Sequence, residues 1–125
     1  MQLETTLWRK IMTADNKLLA LILKVVEKTL QGKIDWKKGA LLNSFSYSIM
    51  NTSVAVSISN INNVDYAYFS VMDENGLVIE YAGESFVWDP DKNQNPISYL
   101  YSIAKRRALK IDETIGNISS YLDRL

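Results

Sequence analysis

From Ser44 to Trp88 the chain alternates large apolar residues with small or polar ones, SFSYSIMNTSVAVSISNINNVDYAYFSVMDENGLVIEYAGESFVW. Successive side chains of a strand point to opposite faces, so each such run has one oily side and one mild side. Phe45, Tyr47 and Ile49 share a side of a first strand, and Val54, Val56 and Ile58 a side of a second. Between Tyr66 and Met72 both sides carry bulk, Tyr66 and Tyr68 opposing Ala67, Phe69 and Val71, as in a central strand. Asp73-Glu74-Asn75-Gly76 breaks the run, and Leu77, Ile79 and Tyr81 resume it as a hairpin partner. Gly83 marks either a bulge or the end of that strand before Phe86-Val87-Trp88. The pattern predicts an antiparallel meander of four or five strands over about 44–88.

The flanks are helical. Leu3, Leu7, Trp8, Ile11 and Met12, then Leu18, Leu21, Ile22, Val25, Val26 and Thr29, recur at helical spacing. Thr13 or Asp15 could cap the second part, which leaves open one helix of roughly 43 Å or a short helix followed by a longer one. Gly32 is placed to end it, with Lys28 in the last turn. Ile34 and Trp36 are spaced like one side of a short extended segment. Trp36 there is either a plug for the end of the core or an aromatic wall of a pocket.

After the turn-rich 89–96 stretch, Asn95 and Pro96 open a helix carrying Ile97, Leu100, Tyr101, Ile103, Ala104 and Ala108. Lys105, Arg106, Arg107 and Lys110 gather where cations complement the helix dipole. Asp112 is expected to cap a last helix with a narrow stripe of Ile115, Ile118, Leu122 and Leu125, weakened at Gly116 by about 1 kcal/mol relative to Ala. The expected fold is a single α+β domain over 1–125: a long N-terminal helix, the meander and two C-terminal helices around one core.

At 125 residues and 47% hydrophobic, the chain has the apolar material for such a core. No apolar run approaches the ~20 residues that span a bilayer, and MQLETTLWRK lacks the order of a signal peptide, so a cytoplasmic setting is expected. Fourteen basic residues balance fourteen acidic ones, which gives no net field toward nucleic acid or anionic lipid. The distribution is uneven. Between Gly39 and Asp91 there is no Lys or Arg, yet Asp65, Asp73, Glu74, Glu80, Glu84, Asp89 and Asp91 all fall there. Strand surfaces built from Ser and Asn explain this simply; an acidic rim for a basic partner or a divalent ion is the sharper reading.

Without His or Cys, Ser-His-Asp and Cys-His catalysis and thiolate or imidazole zinc sites are closed to a single chain. Neither a GxxxxGK[ST] loop nor a GxGxxG turn is present. Asp89-Pro90-Asp91-Lys92-Asn93 matches the opening of a calcium loop, but Gln94 and Leu100 stand where Gly and a bidentate Glu are required. Asp73 with Glu74, and Glu80 with Glu84, are the nearest carboxylate pairs, and nothing in their surroundings along the chain suggests a shifted titration. No catalytic residue, cofactor or metal ligand is therefore expected.

In GKIDW, the DENGLVIEY hairpin and ISYLYSIAKRR, the chain resembles small bacterial α+β domains built of a helix, a β-meander and closing helices. The Met72–Ile79 hairpin is also similar to those of PAS-like and roadblock-like modules, from whose order the final helix pair departs. The resemblance implies a fold and supplies no catalytic residues.

Two functions fit. The first is a non-catalytic regulatory or protein-interaction module that forms a homodimer or meets a protein partner. Its interface would use Leu7, Trp8 and Ile11 of the N-terminal helix, or Ser53, Ala55 and Ser57, which make a small, uncharged strand face. The alternative is a sensor that binds a small molecule against Trp36, Tyr66, Tyr68 and Tyr81. A carboxylate-dependent enzyme ranks last.

Overall fold

A computed structural model describes residues 16–87 and 95–125. The stripe at Leu3, Leu7, Trp8, Ile11 and Met12, the caps at Thr13 and Asp15, Trp88 and the Asp89–Asn93 segment lie outside the described residues.

Helix α1 spans Asn16–Leu30 and buries Leu18, Ile22, Val25 and Thr29, one stripe at alternating steps of four and three. It closes across Gly32, whose φ of +73° suits a residue without a Cβ, and the Lys33 N–H donates back to the Lys28 carbonyl at 3.0 Å. Thr29 then does more than fill the stripe. Its hydroxyl donates to the Val25 carbonyl at 2.7 Å and accepts the indole N–H of Trp36 at 3.0 Å. Trp36 is thus a core plug hydrogen-bonded to α1 rather than a pocket wall, with its ring 6.3 Å from that of Tyr47.

The sheet follows as predicted, with a short strand added in front. Strands β1 (Lys37–Lys38), β2 (Ser44–Ile49), β3 (Thr52–Ile61), β4 (Val64–Met72) and β5 (Val78–Phe86) form one antiparallel meander in chain order. Register aligns the oily sides: Val56 stands between Phe45 and Phe69, and Phe69 faces Ala82. All four are buried. Asn62 and Asn63 join β3 to β4 with φ of 52° and 65°, the left-handed pair whose twist matches a hairpin. Between β4 and β5, the Asp73 carboxylate accepts from the N–H groups of Asn75 and Leu77 at 2.9 and 3.0 Å. The irregularity expected at Gly83 falls elsewhere. Val71 faces Glu80 and Met72 faces Val78, so Ile79 is the extra residue of a bulge. Gly83 sits inside β5, where a Cβ would lie 2.5 Å from the Tyr68 ring.

Helix α2 spans Pro96–Ala108, with the Asn95 carboxamide oxygen accepting the Ser98 N–H at 2.8 Å. Its Ile97, Leu100, Tyr101 and Ala104 join the core, and it packs on α1 and on β2 to β5. Helix α3 spans Ile111–Asp123 and is entered through Lys110 at φ 52° with no side-chain cap. Asp112 is not that cap. It lies in the first turn and pairs with Arg106 of α2. Among the described residues, no helix is long and apolar enough to cross a membrane.

Replacing Thr29 with Val keeps the shape and removes the acceptor for the buried Trp36 N–H. Stability should fall by about 1–3 kcal/mol, the range for an orphaned buried donor, in a urea titration.

Candidate functional site

The helices cover one face of the sheet, and side-chain alternation sends another set of residues to the other. Ser46, Ser53, Ala55, Ser57, Ser70, Tyr66, Tyr68 and Tyr81 stand on that second face by register. Tyr66 and Tyr68 lie nearly parallel with ring centroids 6.3 Å apart, and Tyr81 is more than half exposed. Of the residues expected to share a ligand pocket, the three tyrosines are therefore neighbours, while Trp36 lies in the core on the opposite side. Ser53, Ala55 and Ser57 are together on β3. Leu7, Trp8 and Ile11 lie outside the described residues.

Helix α3 is the second feature. None of its residues is buried, although Ile111, Ile115, Ile118, Leu122 and Leu125 recur at steps of four and three. That spacing puts them on one apolar stripe along the helix. Ile115, Ile118 and Leu122 are each more than half exposed, and Leu125 is 87% exposed.

The third is a concavity of about 240 Å³ between α1, the segment after it and β2. Val25, Ile34, Tyr47 and Ile49 supply its apolar lining, and Lys24, Lys28 and Lys33 stand around it. Lys24 and Lys28 are one helical turn apart, on the side of α1 next to buried Val25. Sequence reasoning missed this group because its members come from three separated stretches, none of them unusual alone.

Glu84 is the fourth. It stands opposite Ala67 on the helix-covered face and is only 7% exposed. Among the described residues, neither carboxylate oxygen has a partner at full hydrogen-bond geometry, the Ile97 N–H being a weak one. Burial raises its pKa from 4.5 to about 8, and the Ile97 N–H in the first turn of α2 offsets part of that rise. The sequence expectation of an ordinary titration at Glu84 is overturned, because alternation shows on which side of a strand a residue falls and not what covers it. Among the described residues, no three carboxylates converge to hold a metal ion.

No family model, no curated protein and no solved structure matches the chain.

A raised carboxyl pKa means that the folded chain holds a proton which the unfolded chain releases above its ordinary value. Stability at Glu84 is highest below pH 4.5 and declines as the pH rises to about 8, then levels off. The Tm of the unsubstituted protein should fall relative to that of Glu84→Gln across this window, the variant being the more stable at pH 8. A difference that does not change with pH would contradict the assignment.

Proposed function

We propose that the chain is a non-catalytic protein-interaction module that self-associates. The observation that carries this reading is α3, a helix with the stripe of a paired helix and no buried residue. An isolated helix of 13 residues is marginal in water unless it packs against something. Among the described residues it packs chiefly on the end of α2.

A second copy of α3 suits the stripe. With Ile115 and Ile118 as seam positions, the flanking positions are Asp112, Thr114, Ser119 and Tyr121. These are nearly uncharged, so they neither repel an identical helix nor select one of opposite charge. The small, cation-free face at Ser53, Ala55 and Ser57 is a further surface that two copies could share, since nothing on it discourages contact.

Light scattering at several concentrations tests the reading. The expected result is a mass near twice 14.2 kDa that falls on dilution. The paired change Ile118→Asp and Leu122→Asp should give the monomer mass with the cooperative urea transition of the core retained and at most the α3 share of the helical circular dichroism lost, because neither side chain is buried. Ser57→Lys should leave the mass as it is if α3 forms the interface, whereas dissociation by Ser57→Lys alone would move the interface to the sheet. A monomer at all concentrations would overturn the proposal.

A further inference from the structure

The structure assigns the concavity between α1 and β2 as a binding site for a straight-chain fatty-acid carboxylate. The site is separate from the surfaces used for self-association, and either could exist without the other.

The lining divides the ligand into two parts. Val25, Ile34, Tyr47 and Ile49 offer an apolar bed for a hydrocarbon chain, and Lys24, Lys28 and Lys33 offer three ammonium groups at its margin. No carboxylate lines the cavity. Of the nearest acids in sequence, Asp35 pairs with Lys37 at 2.9 Å, and Glu27 is exposed and turned to the Gln31 side chain at 3.3 Å. Among the described residues, none of the three lysines has an acid within ion-pair distance. The carbonyl end of α1, which would repel an anion, is met by Arg107, whose guanidinium donates to the Leu30 carbonyl at 3.4 Å. The local field therefore favours a negative headgroup, and the apolar bed adds affinity for one that carries a hydrocarbon tail.

Size narrows the ligand further. A volume of about 240 Å³ lies below the ~300 Å³ at which pockets for drug-sized ligands begin, so the ligand is a small one, with a single hydrocarbon tail on the apolar bed. Trp36 packs beside Tyr47, and Ile34 and Ile49 line the same cavity, so the segment before β1 and the end of β2 bound it together. Tyr47 also links the cavity to the core through Trp36, which makes occupancy readable from within the protein.

The test uses the full chain labelled for amide and methyl NMR and titrated with decanoate, decanol and decylammonium below their micelle concentrations. Decanoate should bind saturably and shift Val25, Ile34, Tyr47 and Ile49. Decanol should bind about tenfold more weakly, the scale of a few part-exposed ion pairs, and decylammonium not measurably. The triple change Lys24→Gln, Lys28→Gln and Lys33→Gln should bring decanoate down to the level of decanol without altering the Tm. Equal binding of decanoate and decanol would overturn the assignment, as would shifts centred on Tyr66, Tyr68 and Tyr81 or on α3, or no saturable binding at all. A short acidic peptide that displaced decanoate and bound more tightly would also overturn it, by making the site a peptide groove.

Discussion

The seating of α2 on the meander is the contact on which the remainder of the structure depends. Ala67 and Ala82 are fully buried beside Phe69, and their short side chains let a helix approach where longer ones would hold it off. Ile97, Leu100, Tyr101 and Ala104 fill the space so created, with the Tyr101 ring tilted against Phe45 at 5.5 Å. Once α2 is in place, α1 has a ridge to lie against, and Trp36 can close the end of the layer. The hydrogen bond from Trp36 to Thr29 then fixes how far the chain travels between helix and sheet. One face of the sheet is sealed by this sequence of contacts, and the placement of every candidate surface follows from which face that is.

Much of this order can be read from residue spacing because the physical cause is local. Alternation identified β2 to β5 and the core-facing sides of β2 and β3, and the helical stripe in α1 is the one that becomes buried, whereas at β5 the apolar run of Leu77, Ile79 and Tyr81 is exposed and Ala82 and Glu84 face the core. Asn95 and Pro96 start α2 as their chemistry requires. Other features depend on tertiary context. The two residues of β1 have no pattern to detect, and they pair only because β2 is beside them. The bulge at Ile79 arises from matching a long turn to a fixed register, which no single residue encodes. Lys110 rather than Asp112 stands at the start of α3, since the turn out of α2 needs a left-handed residue at that point.

The candidate surfaces were less legible than the fold. A stripe such as Ile115, Ile118 and Leu122 looks the same in sequence whether it is buried or bare. Only the exposure of α3 in the folded chain distinguishes the two. The lysine-bordered cavity is likewise an outcome of assembly, with two of its cations on a helix, a third beyond it and its bed shared with a strand. Aromatic residues attracted attention as ligand-binding candidates, yet the fold separates Trp36 from Tyr66, Tyr68 and Tyr81. Apolar and cationic groups of ordinary type were brought together instead.

The isolated acid beneath α2 alters the electrical identity of the protein. With Glu84 holding its proton at neutral pH, fourteen cations are set against thirteen anions, and a chain that is formally neutral by composition becomes a weak cation when folded. Folding near pH 7 consequently draws a hydrogen ion from the buffer, so the heat measured for the transition includes the ionisation enthalpy of whichever buffer supplies it.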